Sequence, residues 1–167
     1  MGEELRSLIA AAFGGIISFG VMSATNAEDL GKQGTFSGQI GLVAVSENVM
    51  VMAENHLYIV GKYAGASTNS SGSGFLQNMA WACGGTTEIV DGVPTGIGYC
   101  TVTDQDGDQI SGQWSCTAGT DDCDQYFNIG GTGKYEGMQS HNKFKLVFIG
   151  STGAFNSFLW DGAYTIP

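Results

Sequence analysis

The stretch from Tyr126 to Met138 holds four glycines among β-type residues, and a run that alternates at period two follows it. Glycines this dense let the backbone take positive φ and approach its neighbours closely, so the stretch reads as a bent, bulged strand junction. A phosphate-cradling loop needs a helix after it. Here Phe144, Leu146 and Phe148 follow on one face, with Lys143 and Lys145 on the other, which is a strand pattern. Lys134, Tyr135 and Glu136 continue the alternation backwards, and a strand is expected over 134–149.

Composition agrees with strands. Glycine is abundant at 27 residues, proline is nearly absent at 2, and aromatic and β-branched residues outnumber strong helix formers. A length of 167 residues suits one domain with a real core. Acidic residues outnumber basic ones by 16 to 6, and Arg6 is the single arginine. A chain so poor in Lys and Arg lacks the footprint for nucleic acid or anionic lipid, and nucleic acid is excluded as a partner.

Residues 8–22 are almost uninterruptedly apolar and lead into Ser23-Ala24-Thr25-Asn26-Ala27, small residues of the kind a signal peptidase accepts. Residues 1–27 therefore read as a secretory signal, and 28–167 as a single domain. The alternative is a retained anchor over 8–27, about long enough to cross a bilayer as a helix. The chain is then secreted or periplasmic, or membrane-anchored and facing the periplasm. Only the second case brings a membrane into contact.

Four cysteines, Cys83, Cys100, Cys116 and Cys123, are an even number behind an export signal, so disulfides come first and redox or zinc chemistry second. Three connectivities are open. Cys116 and Cys123 bracket a short polar loop and Cys83 and Cys100 lie in successive strands, so the expected pairs are Cys83–Cys100 and Cys116–Cys123.

Short β runs are expected near 33–43, 48–54, 56–64, 75–83, 96–104, 108–117, 124–130, 134–149 and 154–166. A flexible loop is expected at 67–74 and a turn at 92–96. One apolar face per strand with no helix to cover an edge favours a small closed antiparallel β-barrel of about eight strands, because closure removes exposed edges. Val49-Met50-Val51-Met52 reads as core packing, with contact to a partner or membrane as the other use.

Asp104-Gln105-Asp106-Gly107-Asp108 places three carboxylates at alternate positions, as a calcium loop does, but Gln109 and Ser115 stand where an EF-hand needs glycine and glutamate. Asp106-Gly107 is read instead as the tight turn of a hairpin, with no metal.

With that hairpin, the Gly130–Gly137 junction, the alternating strand and the final aromatic strand, the chain resembles the allene oxide cyclase-like barrels, akin to dirigent proteins. The resemblance covers residues 96–166 well and 33–95 loosely, and it is to secreted members of bacterial type. It implies the barrel and, by analogy, a homo-oligomer. Plant cyclases of this family place a catalytic glutamate, with an asparagine nearby, in the first barrel strand. Here that strand, residues 34–42, has no acidic residue, and Glu47-Asn48 follows later.

Candidate acid–base residues are Glu136 at the glycine corner and His56 in a strand. Candidate ligand-binding residues are Tyr58, Trp81, Trp114 and Trp160. No serine stands in a nucleophile elbow, and no cofactor is expected. The reading is an exported non-catalytic barrel that binds a small apolar ligand or a protein partner. The alternatives are a cyclase or isomerase acting on a hydrophobic substrate inside the barrel, and an accessory subunit anchored by residues 8–27.

Overall fold

The computed structural model describes residues 30–118, 123–150 and 155–167. The N-terminal apolar segment, with its expected cleavage or anchoring, lies outside the described residues.

Eight strands pair in chain order, each antiparallel to the next: β1 (Gln33–Ala53), β2 (His56–Asn69), β3 (Met79–Val90), β4 (Val93–Thr103), β5 (Gln109–Cys116), β6 (Cys123–Gly131), β7 (Gln139–Ile149) and β8 (Phe155–Thr165). β8 then pairs with β1 and closes the barrel. The expected all-β architecture is what forms, and alternation is its cause. Phe36 and Ile40 on β1, Met79, Trp81 and Cys83 on β3, and Trp160 and Tyr164 on β8 point inward and are buried, while the immediate chain neighbours of each face out.

One end of the barrel is plugged. The Ser- and Gly-rich connection after β2, expected to be a flexible loop, turns back at residues 70–78 and drives Phe75 and Leu76 into the core. The Phe75 ring meets Phe36, Phe127, Tyr135 and Tyr164 at centroid distances of 5.0–5.9 Å. Ser67 Oγ donates to the Leu76 carbonyl and Asn69 Nδ2 to that of Phe75, so the loop's backbone is tied down as well.

The glycine corner sits at the same end. The strand expected from residue 134 begins at Gln139, and Gly133–Tyr135 is a 3₁₀ turn. Gly133 has φ +52° and Gly137 φ +74°, conformations that break an extended run. The turn directs Tyr135 inward, where it is buried.

Other expected boundaries shift for stated reasons. The runs 33–43 and 48–54 are one strand, bent by a bulge between Ala44 and Ser46. β3 starts at Met79 instead of residue 75, because Phe75 and Leu76 belong to the plug. The turn expected at 92–96 narrows to Asp91-Gly92, both at positive φ. The Asp106-Gly107 hairpin turn forms, with Gly107 at φ +90°.

Among the described residues the other end is lopsided. β1–β2 and β3–β4 run past the barrel as a four-stranded lip, while β8 starts at Phe155, opposite Val43. Val49, Met50, Val51 and Met52 lie on this lip and are exposed, so they do not serve as core.

Candidate functional site

Both disulfides form as expected, Cys83–Cys100 across β3–β4 and Cys116–Cys123 across β5–β6. Each joins directly opposed residues whose side chains face the lumen. Towards the mouth the inner wall continues with Leu42, Tyr63, Trp114 and Phe144, which are only half-buried. Trp114 lies flat against β3 and β4, since a methyl group on Gly85 or Gly98 would come within 2.6 Å of its indole ring. Glycine is required there by the close approach, and the ring fits only because those positions carry no side chain.

Below this apolar wall the lining becomes polar. Gln125 and Asn142 are direct cross-strand partners, 2% and 1% exposed, and Asn142 opposes Gly162 on β8, next to the Trp160 pair. The indole N–H groups of Trp81 and Trp160, the Gln125 amide nitrogen, the Ser140 hydroxyl and both ends of the Asn142 amide have no hydrogen-bond partner among the described residues. A buried polar group without a partner costs about 1–3 kcal/mol, so this cluster is an expensive feature for a barrel that could have been lined with leucine. Donors predominate in it, and their natural complement is an oxygen acceptor.

Among the described residues, Glu47 brings a carboxylate to the mouth. The bulge at Val45 shifts the side-chain alternation of β1 by one, so Glu47 turns to the inner face opposite Gly61. Tyr63 Oη donates to Glu47 Oε1 at 2.7 Å. Burial raises the Tyr63 hydroxyl above the usual tyrosine range, and the hydrogen bond to Glu47 raises it further.

The expected site residues divide between these regions. Trp81, Trp114 and Trp160 share the inner wall. Tyr58 is on the outer face of the lip, opposite Met50 and Glu88. His56 is outside as well, with Nε2 2.6 Å from Glu88 Oε1. Glu136 is exposed at the plugged end and ends the 3₁₀ turn. His141 is exposed on the outer wall, stacked on Tyr126 and 2.7 Å from Asp124. Hydrogen bonds from His141 and then Lys143 hold the Asp124 carboxyl below its usual value.

Asp104, Asp106 and Asp108 do converge, but on Lys134. Its Nζ is 2.7 Å from both Asp104 Oδ2 and Asp106 Oδ2, and Asp108 accepts from the Lys134 backbone N–H. Tyr135 Oη also donates to Asp104 at 3.0 Å. Burial would raise the Asp104 carboxyl, but the bonds from Lys134 and Tyr135 outweigh it and hold it low. Burial likewise works against the Lys134 charge, and the two aspartates hold that ammonium above the ordinary lysine range. The position a cation would take is filled by an internal one.

Sequence reasoning missed Gln125, Asn142 and the inward turn of Glu47. For Asn142 the signal was present, since it shares the parity of Phe144 and Leu146 in β7.

The chain matches no known family profile and no curated protein. Among solved structures it is similar to two pterocarpan synthase dirigent proteins. GePTS1 superposes with a TM-score of 0.50 over 90% of this chain and 99% of its own, at 10% identity. PsPTS1 gives 0.53 over 81% and 96%, at 11% identity. The fold is a dirigent-like barrel. In this dirigent-like barrel the half-buried apolar inner wall near the mouth, with a carboxylate at its rim and, deeper, buried donors that have no partner among the described residues, is the candidate site. Among the described residues, no helix is long and apolar enough to cross a membrane.

Proposed function

We propose that the protein is an exported, non-catalytic member of the allene oxide cyclase-like and dirigent-like barrels, whose lumen binds a small, largely apolar molecule carrying an oxygen acceptor. The observation that carries this reading is the buried cluster of Trp81 Nε1, Trp160 Nε1, Gln125 Nε2 and the Asn142 amide beneath the half-exposed Leu42, Tyr63, Trp114 and Phe144. Apolar walls supply affinity without direction, and a few buried donors fix orientation, which is the usual division of labour in small-molecule sites. Export is supported by the two disulfides and by the apolar segment ahead of the barrel. Intact mass of the native protein tests it, since a secreted chain has lost about residues 1–27.

Prodan, a neutral naphthyl ketone whose emission shifts to the blue on burial, is a suitable probe. Because Trp81, Trp114 and Trp160 all face the lumen, binding should be saturable at one site per chain and accompanied by energy transfer from tryptophan. Absence of saturable binding up to the probe's solubility limit contradicts the proposal.

A second reading, a cyclase or isomerase, is favoured by one observation: Glu47, on the first strand, faces inward at the mouth with Tyr63 as its hydrogen-bond donor. A carboxylate there could steer charge in a substrate held against the apolar wall. Turnover abolished by Glu47→Gln, with prodan affinity unchanged, would establish it over the binding-only reading.

A further inference from the structure

Met50 and Met52 stand apart from the other described methionines. Met79 and Met138 are 1% and 3% exposed and belong to the core, whereas Met50 and Met52 are 40% and 61% exposed on the lip. Methionine is a filler of irregular interiors, and a core role does not account for two of them held in solvent. Their register directs both towards one histidine. Beyond the bulge at Val45, the outer face of β1 carries Asn48 and Met50, opposite Val60 and Tyr58 on the outer face of β2. A second register shift follows: Val51 pairs with Leu57 and Ala53 with His56, so Met52 is the extra residue, and it shares His56 as its opposite number with Ala53. Period two keeps Met52 on the outer face with Met50. His56, two residues before Tyr58, is on that face as well. Directly opposed side chains start with Cβ atoms about 4.5–5.5 Å apart and diagonal ones about 7–8 Å, so the thioethers of Met52 and Met50 both reach the imidazole.

From the β3 side His56 is already held. Its Nε2 lies 2.6 Å from Glu88 Oε1. A carboxylate only accepts, so Nε2 carries the proton and donates it, and the ring's lone pair is on Nδ1. An imidazole with one nitrogen fixed by a carboxylate is the usual form of a metal-ligating histidine, because that bond sets both tautomer and ring orientation. Among the described residues no third His, Cys, Asp or Glu joins His56 and Glu88, so the donors that complete a site there are the two thioethers. All four cysteines are committed to disulfides, which leaves methionine to supply soft sulfur.

We propose that Met50, Met52 and His56 bind a soft monovalent cation, copper(I), on the outer face of the lip, with Glu88 orienting the imidazole. Donor type decides the ion. Two thioethers and one imidazole are uncharged donors that select copper(I), whereas magnesium, calcium and manganese take carboxylate, carbonyl and water oxygens. Glu88 adds a negative charge beside the ligand set without entering it. The site is separate from the lumen, since Met50, His56 and Glu88 face away from the wall that carries Tyr63 and Trp114.

Competition between the purified native chain and bicinchoninate for copper(I), kept reduced by ascorbate so that the disulfides stay intact, tests the proposal. One copper(I) per chain should leave the chelator, and excess zinc(II) should not displace it. The double variant Met50→Leu/Met52→Leu keeps two exposed apolar side chains, so its thermal midpoint should hold while the competition is lost. Glu88→Gln should weaken binding about tenfold, the usual effect of removing a carboxylate behind a ligating histidine. His141→Gln, on the outer wall beside Asp124, should change nothing. Silver(I) added to protein labelled at its methionine methyl groups gives a reading residue by residue: the Met50 and Met52 resonances should shift and those of Met79 and Met138 should not. A wild type that withdraws no copper(I) overturns the proposal, as does a double leucine variant that binds as before, displacement by zinc(II), or loss of binding in His141→Gln.

Discussion

Tyr63 Oη donates to Glu47 Oε1 at 2.7 Å across the barrel mouth, a contact that exists because one bulged residue, Val45, turns Glu47 from the outer to the inner face of β1. Deleting Val45 should return Glu47 to the outer face and free the Tyr63 hydroxyl. Tyr63 is held above the ordinary tyrosine range by burial and by Glu47, Tyr135 by burial and the nearby aspartates, and Tyr164 by burial. Each raised value means the folded state holds its proton more tightly, so the stability it contributes is present below about pH 10 and is lost as pH rises through the folded values. Absorbance titration at 295 nm should show these three tyrosines ionising later than free tyrosine, with Tyr63→Phe removing one from the late group.

The Asp104–Lys134 pair should set the acid limit of stability at the plugged end. Asp104 is held low, so its contribution is present above about pH 4 and is lost as pH falls through the folded value. Lys134 is held high, so its contribution is present below about pH 10.4 and is lost as pH rises through the folded value. Side chains 7% and 24% exposed are partly screened, so Lys134→Met should cost nearer the bottom of the roughly 3–5 kcal/mol seen when a buried pair is broken. Urea unfolding at pH 7 measures it.

Calcium should leave the thermal midpoint unchanged, because the Lys134 ammonium already occupies the space between Asp104 and Asp106. A calcium-dependent rise abolished by Asp106→Ala would restore the metal reading.

How much of this could be read from the chain is clearest residue by residue. Alternation in Phe144 and Leu146 identified the inner face of β7, while successive strands identified the Cys83–Cys100 pair and a short bracketed loop the Cys116–Cys123 pair. Period two fails wherever a single residue is inserted, which is why the inward turn of Glu47 was not legible. Composition also misled at residues 70–78, where serine and glycine make the bends that let Phe75 and Leu76 act as a plug. At the glycine corner the residue types read as strand, but positive φ at Gly133 and Gly137 made a turn. The lumen donors were hidden for another reason: a buried Asn142 has no sequence mark except its parity, and its missing partner is a property of the packed barrel.

Gly131→Val should unfold the corner. A side chain there would run into the Tyr135 carbonyl, a backbone atom that cannot swing away, and at Gly133 it would meet the Asp108 carboxylate at a strained φ. The loss should be several kcal/mol, whereas Glu136→Gln, on an exposed carboxylate, should change stability by less than about 0.5 kcal/mol.

Removing the Cys83–Cys100 bridge, which spans 17 residues, should cost about 3 kcal/mol, and removing Cys116–Cys123, which spans 7, roughly 2 kcal/mol. Paired Cys→Ala variants compared by urea unfolding give both figures.

The central claim is that the buried donors around Asn142 receive a ligand's oxygen, and Asn142→Leu tests it most directly. Leucine keeps the branched outline of the side chain at a larger volume and removes both unpartnered amide ends, so the thermal midpoint should hold. Prodan affinity, measured by the same tryptophan energy transfer, should fall about tenfold, the equivalent of one good hydrogen bond of about 1.4 kcal/mol. A variant that is stable and binds prodan as tightly as the wild type would contradict the account.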